Sequence, residues 1–166
     1  MRIAAPIRKA LLTVHIGTSV GWYGAILAYI ALNVPLLTGE DEPMLRGAYL
    51  MMQPVLLYVI VPLAVASVMT GITQELVTLW GLFKHYWVSI SLWVTIFAGA
   101  ILVAHIPAVN AMAAMAADPN VDVTAMRTDL FHSVGGLLVL TVPLILNVAK
   151  PRGMTRAGWR AKKASA

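Results

Sequence analysis

The chain has 166 residues, 60% of them hydrophobic and 11% charged, with a formal net charge of +5. So little polar surface cannot clothe a soluble domain of this size, and the basic residues do not gather on a folded face as a nucleic-acid partner would require, so the composition excludes both classes and points to a membrane. Cysteine is absent, which removes disulfides, iron–sulfur clusters and thiolate metal sites and leaves histidine and carboxylate as the strong metal ligands.

Four stretches carry no charged residue, 10–39, 47–74, 86–117 and 130–149, with lengths of 30, 28, 32 and 20 residues. About 20 apolar residues, at about 1.5 Å of rise each, cross a hydrocarbon core of about 30 Å. The expected fold is all-α: a polytopic four-transmembrane-helix bundle over residues 1–149 and a basic tail over 150–166. Arg2, Arg8 and Lys9 precede an apolar run that is too long for a signal h-region of about 7–15 residues, so the run reads as a retained first helix. That helix covers roughly 8–37, with Pro35 near its end and Gly39-Glu40-Asp41-Glu42-Pro43 as the turn after it. Helix two covers roughly 46–77 and is expected to bend, because Pro54 and Pro62 each remove a backbone donor. A tight connection at Thr78-Leu79-Trp80-Gly81 leads to helix three, roughly 83–107, which Pro107 is expected to stop. Residues 108–125 read as the longest loop, with Ala111 to Ala117 suited to a short interfacial helix. Helix four, roughly 125–149, carries Pro143 and ends at Lys150-Pro151.

Lys and Arg accumulate in cytoplasmic loops. In a four-span chain Arg2, Arg8, Lys9, Lys84, Lys150, Arg152, Arg156, Arg160, Lys162 and Lys163 share one side, and Arg46 and Arg127 take the other. Both termini are therefore expected in the cytoplasm of a bacterial cell, with the chain in its inner membrane. Glu40, Asp41, Glu42, Asp118, Asp122 and Asp129 are expected to give the outer face a negative character. The tail, with one aromatic residue, Trp159, reads as a topology signal attracted to anionic headgroups; docking onto a protein partner is the sharper reading. Gly17 and Gly21 at GxxxG spacing, Ala98-Gly99-Ala100 and Gly135-Gly136 suit close helix packing, and the first pair also suits a homo-oligomer.

Ionisable residues are costly inside a membrane and mark functional positions. The topology sorts the four histidines two and two: His15 and His85 toward the inner side, His105 and His132 toward the outer. His105 lies two residues before Pro107, and His132 three after Asp129, so the outer pair sits at similar depth. Two imidazoles at one level suit the axial positions of a b-type haem, or a copper or zinc ion. Gly135 and Gly136, one turn from His132, would leave room for a flat macrocycle. The inner pair differs in depth by nearly two turns. His85 and His105 point to opposite sides of helix three, being 20 residues apart, about 30 Å of rise and roughly 200° of rotation. His15 heads a polar stripe with Thr18, Ser19, Trp22 and Asn33. Glu75, near Lys84 in sequence, reads as half of an interfacial ion pair; Trp80, Phe83, Tyr86 and Trp87 as an aromatic belt, with Trp93 deeper; and the nine methionines as packing. Hydrolase and NTPase motifs are absent.

The stretch His15-Ile16-Gly17-Thr18-Ser19-Val20-Gly21-Trp22, with Trp80-Gly81-Leu82-Phe83-Lys84-His85-Tyr86-Trp87-Val88 and Val103-Ala104-His105, resembles a group of small bacterial integral membrane proteins, frequent in actinobacteria, over about half of the chain. That resemblance implies kinship and no particular activity. More loosely, His15 with Trp22 seven residues on, and a third helix bracketed by Lys84-His85 and His105, resembles the four-helix protoporphyrinogen oxidases and the membrane domain of copper-resistance D proteins. This likeness implies haem, porphyrin or copper handling. Where the oxidases carry further basic residues after the first helix, this chain reads Glu40-Asp41-Glu42, which argues against porphyrinogen oxidation. The expected function is histidine-borne binding of b-type haem or a metal for electron transfer or cofactor handling with a membrane redox partner, with His105 and His132 as first ligands, His15 second and His85 third. The alternative is a non-catalytic membrane subunit or small permease without a cofactor.

Overall fold

In the computed structural model, residues 4–39, 41–77 and 81–164 are described. Arg2, Glu40, Thr78, Leu79 and Trp80, which figure in the expected basic face, turns and belt, lie outside them. Apolar helices dominate: α1 Ala5–Ala31, α2 Val34–Thr38, α3 Glu42–Val55, a π-turn Leu56–Ile60, α4 Val61–Val77, α5 Tyr86–Ala117, a 3₁₀ turn Val123–Ala125, α6 Leu130–Ala149 and α7 Arg156–Ala164. Four units, Ala5–Thr38, Glu42–Val77, Tyr86–Ala117 and Leu130–Ala149, are long and apolar enough to cross a membrane, and the four-helix membrane bundle expected from the charge-free stretches is what forms. Large apolar side chains such as Tyr58, Phe131 and Val148 point away from the bundle, as a lipid-facing surface requires.

Cross-helix hydrogen bonds fix the register. His15 and Ser19 of α1 meet Thr70 and Ser67 of α4, Tyr23 and Tyr29 meet Thr141 of α6 and Asp129 before it, and Gln53 of α3 meets Asn110 of α5. With Arg46 and the Ala116 carbonyl as the second α3–α5 contact, the numbers run in opposite senses in each pair of helices, so neighbours are antiparallel. The starts of α1 and α5 and the ends of α4 and α6 therefore share one face, here the chain-end face; the opposite one is the loop face. Trp22, Ile26 and Tyr29 of α1, Tyr49 and Met52 of α3, and Leu56 and Ile60 of the π-turn fill the centre with Val109 and Leu140.

The proline positions account for most departures from the sequence reading. Helix one breaks at Leu32-Asn33 instead of running to 37, because Pro35 has no N–H for the carbonyl four residues back and instead sits in the first turn of α2, where none is needed. Helix two begins at Glu42, and the disturbance expected from Pro54 and Pro62 takes the form of a widened π-turn between them, a common way to absorb a break in the α ladder. Pro107 does not stop helix three: α5 starts at Tyr86 and runs ten residues past Pro107 to Ala117. One missing donor is offset by the alanine-rich run that follows, and by Arg46, whose guanidinium donates to the carbonyls of Ala116, Asp118 and Val121 at 2.7, 2.7 and 3.1 Å and so satisfies the helix end. Helix four starts at Leu130, five residues later than expected, because Val123–Ala125 closes its own turn on Asp122. Of the GxxxG pair, Gly21 packs on Leu63, while nothing lies within 4 Å of a side chain built on Gly17.

The tail forms α7 and folds back on the α4–α5 connection. Thr155 donates its N–H to the Lys84 carbonyl at 3.0 Å and its hydroxyl to the Phe83 carbonyl at 2.5 Å. Gly158 lies so close that a Cβ there would overlap the Lys84 carbonyl.

Candidate metal centre

Near the loop face, α5 and α6 bring His105 and His132 together. Their rings stack with centroids 3.9 Å apart and planes 18° from parallel, so the outer pair expected from sequence is adjacent in space. Between them stands a residue that the sequence reading assigned to the acidic outer surface. Asp129, immediately before α6, is only 4% exposed. Its Oδ1 lies 2.6 Å from His105 Nε2 and 3.6 Å from His132 Nδ1. Tyr29 donates its hydroxyl to Asp129 Oδ2 at 2.8 Å.

The helix break at Asn33 holds this carboxylate in place. Asn33, fully buried, accepts the Asp129 N–H on Oδ1 at 3.0 Å and donates from Nδ2 to the Tyr29 carbonyl at 3.2 Å. Ser133 donates its hydroxyl to the Asp129 carbonyl at 2.8 Å. A buried carboxylate is tolerable when charge-assisted hydrogen bonds replace its water, and here α1, α5 and α6 each contribute partners. Asp129 was legible in one respect: three residues before His132, it shares that residue's helical face.

Among the described residues, His105, Asp129 and His132 form a group whose ligand atoms all lie within 4.8 Å of one another. Four-coordinate zinc at about 2.0–2.1 Å from each ligand sets ligand atoms about 3.3 Å apart, so side-chain shifts of about an ångström close the set around an ion. Two imidazoles and one carboxylate suit zinc, copper(II) or iron(II). The His132 side chain is half exposed, against 14% for His105, so one side of the cluster is not covered by protein. A haem held axially requires its imidazoles on opposite faces of the macrocycle; rings stacked at 3.9 Å leave no gap for one. As placed, the residues fit a compact ion and do not fit a macrocycle.

A cavity of about 70 Å³ extends from the cluster toward the middle of the bundle, between Trp22 of α1, Leu56 and Ile60 of the π-turn, and α6. Gly136 lines it and Gly135 does not; a side chain built on either glycine meets nothing within 4 Å. The indole Nε1 of Trp22 is buried without a hydrogen-bond partner among the described residues.

The other two histidines lie outside this group. His15 Nδ1 is 3.2 Å from Thr70 Oγ1, and its ring occupies the space left by Gly71, where a Cβ would lie 3.0 Å from Cε1. His85 precedes the first turn of α5 and pairs through its backbone with Met154. Glu75, expected to pair with Lys84, is half-buried, with Oε2 unpartnered among the described residues and Lys150 near enough to act on it electrostatically. No family model matches this chain, and neither a curated protein nor a solved structure matches it.

Proposed function

We propose that this chain is a four-pass protein of a bacterial cytoplasmic membrane, with both ends in the cytoplasm, that binds a transition-metal ion through His105, Asp129 and His132 on the outer side. The observation that carries the reading is the convergence of two imidazoles and one buried carboxylate within 4.8 Å. The orientation rests on the ten basic residues of the chain-end side against two on the other. Copper would serve electron transfer with a membrane partner; zinc, which has no redox chemistry, would fit cofactor or ion handling instead.

Elemental analysis of detergent-purified protein after dialysis against copper or zinc tests the reading. One ion per chain is expected, falling to background in His132→Ala and His105→Ala. Equal retention by the wild type and both variants, or none by any of them, removes it.

A second reading has its own support. Asp129 is already satisfied by Tyr29, His105 and Asn33, so the cluster would serve as a polar lock joining three helices of a non-catalytic subunit or small permease. Under that reading His105→Ala lowers stability and no ion is retained.

A further inference from the structure

The α1–α4 interface carries polar groups that the metal centre does not use. On α1, His15, Ser19 and Trp22 follow at helical spacing; on α4, Ser67, Thr70 and Gln74 do the same, with Glu75 one residue on. Two cross-helix pairs bridge the seam, His15 Nδ1 to Thr70 Oγ1 at 3.2 Å and Ser19 Oγ to Ser67 Oγ at 2.8 Å. At its two ends stand buried polar atoms with no hydrogen-bond partner among the described residues: Gln74 Oε1 and Glu75 Oε2 toward the chain-end face, and the Nε1 of Trp22, a residue that lines the cavity. Gly71 keeps the seam wide enough for the His15 ring.

Lipid offers no hydrogen bonds to such groups, and buried polar groups without protein partners are where buried water settles. We propose that the α1–α4 seam is an aqueous half-channel, entered at Gln74 and Glu75 on the chain-end face and leading past His15 and Ser67 to the Trp22 indole at the cavity. Its ligand is water, and its course is independent of whether the His105–Asp129–His132 cluster holds an ion.

The chain has no cysteine, so a single introduced thiol is the only one present. Ser67→Cys, Ser19→Cys and Thr70→Cys in lipid nanodiscs are treated with 2-aminoethyl methanethiosulfonate beside Val65→Cys and Met69→Cys, whose positions are exposed on the outside of the bundle. Only a hydrated thiol ionises to the reactive thiolate, so the seam positions are expected to react roughly tenfold faster or more. Radiolytic hydroxyl-radical footprinting of the unaltered chain gives a reading free of any substitution: buried Trp22 is expected to oxidise faster than Trp93, which faces outward. Seam thiols no faster than the two outward controls, or Trp22 oxidised no faster than Trp93, overturns the proposal. Neither readout involves metal binding, so failure here leaves the metal reading untouched.

Discussion

Replacing Tyr29 with phenylalanine removes one hydroxyl and keeps the ring, which is 3% exposed and packed in the core. No cavity opens, so the change isolates the hydrogen bond to Asp129 Oδ2. Hydrogen bonds to charged groups in water-soluble proteins are worth about 1.5–3 kcal/mol, whereas those between transmembrane helices average about 0.6 and reach about 1.7 kcal/mol. Here the acceptor is a carboxylate and the site lies at the end of the span, which places the expected loss at about 1–2 kcal/mol. Reversible unfolding in mixed detergent with a chelator present measures it, and the double cycle with Asp129→Ala supplies the control. Coupling of about 1 kcal/mol is expected; additivity within about 0.3–0.5 kcal/mol would mean that the two side chains do not interact. Under the proposed metal reading, Tyr29 also orients the carboxylate that an ion would use. The same substitution should therefore weaken metal binding by about 10–100-fold, the usual cost of losing such a supporting contact, while loss of the hydroxyl with no change in affinity would argue against Asp129 as a ligand.

Arg46→Ala should release the end of α5, since its guanidinium serves three carbonyls there and Glu42 at 2.6 Å; a cost of about 1–3 kcal/mol and faster proteolysis between residues 117 and 123 are expected, and unchanged cleavage would count against the cap. Gly158→Ala should lift α7 from the Lys84 carbonyl, so that trypsin cuts after Arg156 and Arg160 sooner than in the parent chain, with the four spans still intact. The hydroxyl of Thr124, and then its N–H, hold the Asp122 carboxyl below its ordinary range. A carboxyl lowered by folding contributes above its unfolded value of about 4 and loses that contribution as pH falls through the folded value. Protection of the Thr124 amide from hydrogen exchange should therefore persist at neutral pH and disappear in acid, and persistence in Asp122→Ala would refute the role of the carboxylate.

Helix count and antiparallel order were legible because they depend on a coarse quantity, the length of charge-free runs against bilayer thickness. Helix ends were less so, and proline shows why. Pro35, Pro54 and Pro107 each delete one donor, yet one follows a break, one precedes a π-turn and one passes through α5 unmarked. What differs is the company each keeps: Asn33 is buried beside the first, and Arg46 closes the helix that contains the third. Such partners come from elsewhere in the chain, 70 residues away for Arg46 and Ala116, so a local reading of proline cannot choose between outcomes.

The centre follows the same logic. His105 and His132 could be matched in depth by counting residues, because depth is one-dimensional and each helix preserves it. Asp129 could not be recognised as buried in that way. Its position before α6 makes it look like the other loop acids, and what separates it from Asp118 and Asp122, both exposed, is that α1 ends opposite it. Had helix one continued straight through Asn33, the amide that receives the Asp129 N–H would not be free to turn toward α6, and the carboxylate would have no reason to leave water. The break at Asn33 and the burial of Asp129 are thus one event, with Tyr29, one helical turn before Asn33, supplying the hydroxyl that completes it. Two consequences follow from that coupling. Asn33→Ala should disturb the histidine cluster although it touches neither imidazole, and it should do so by loosening Asp129. If ring stacking of His105 and His132 and ion retention both survive Asn33→Ala, then the imidazoles place themselves, and the carboxylate between them is passenger instead of organiser.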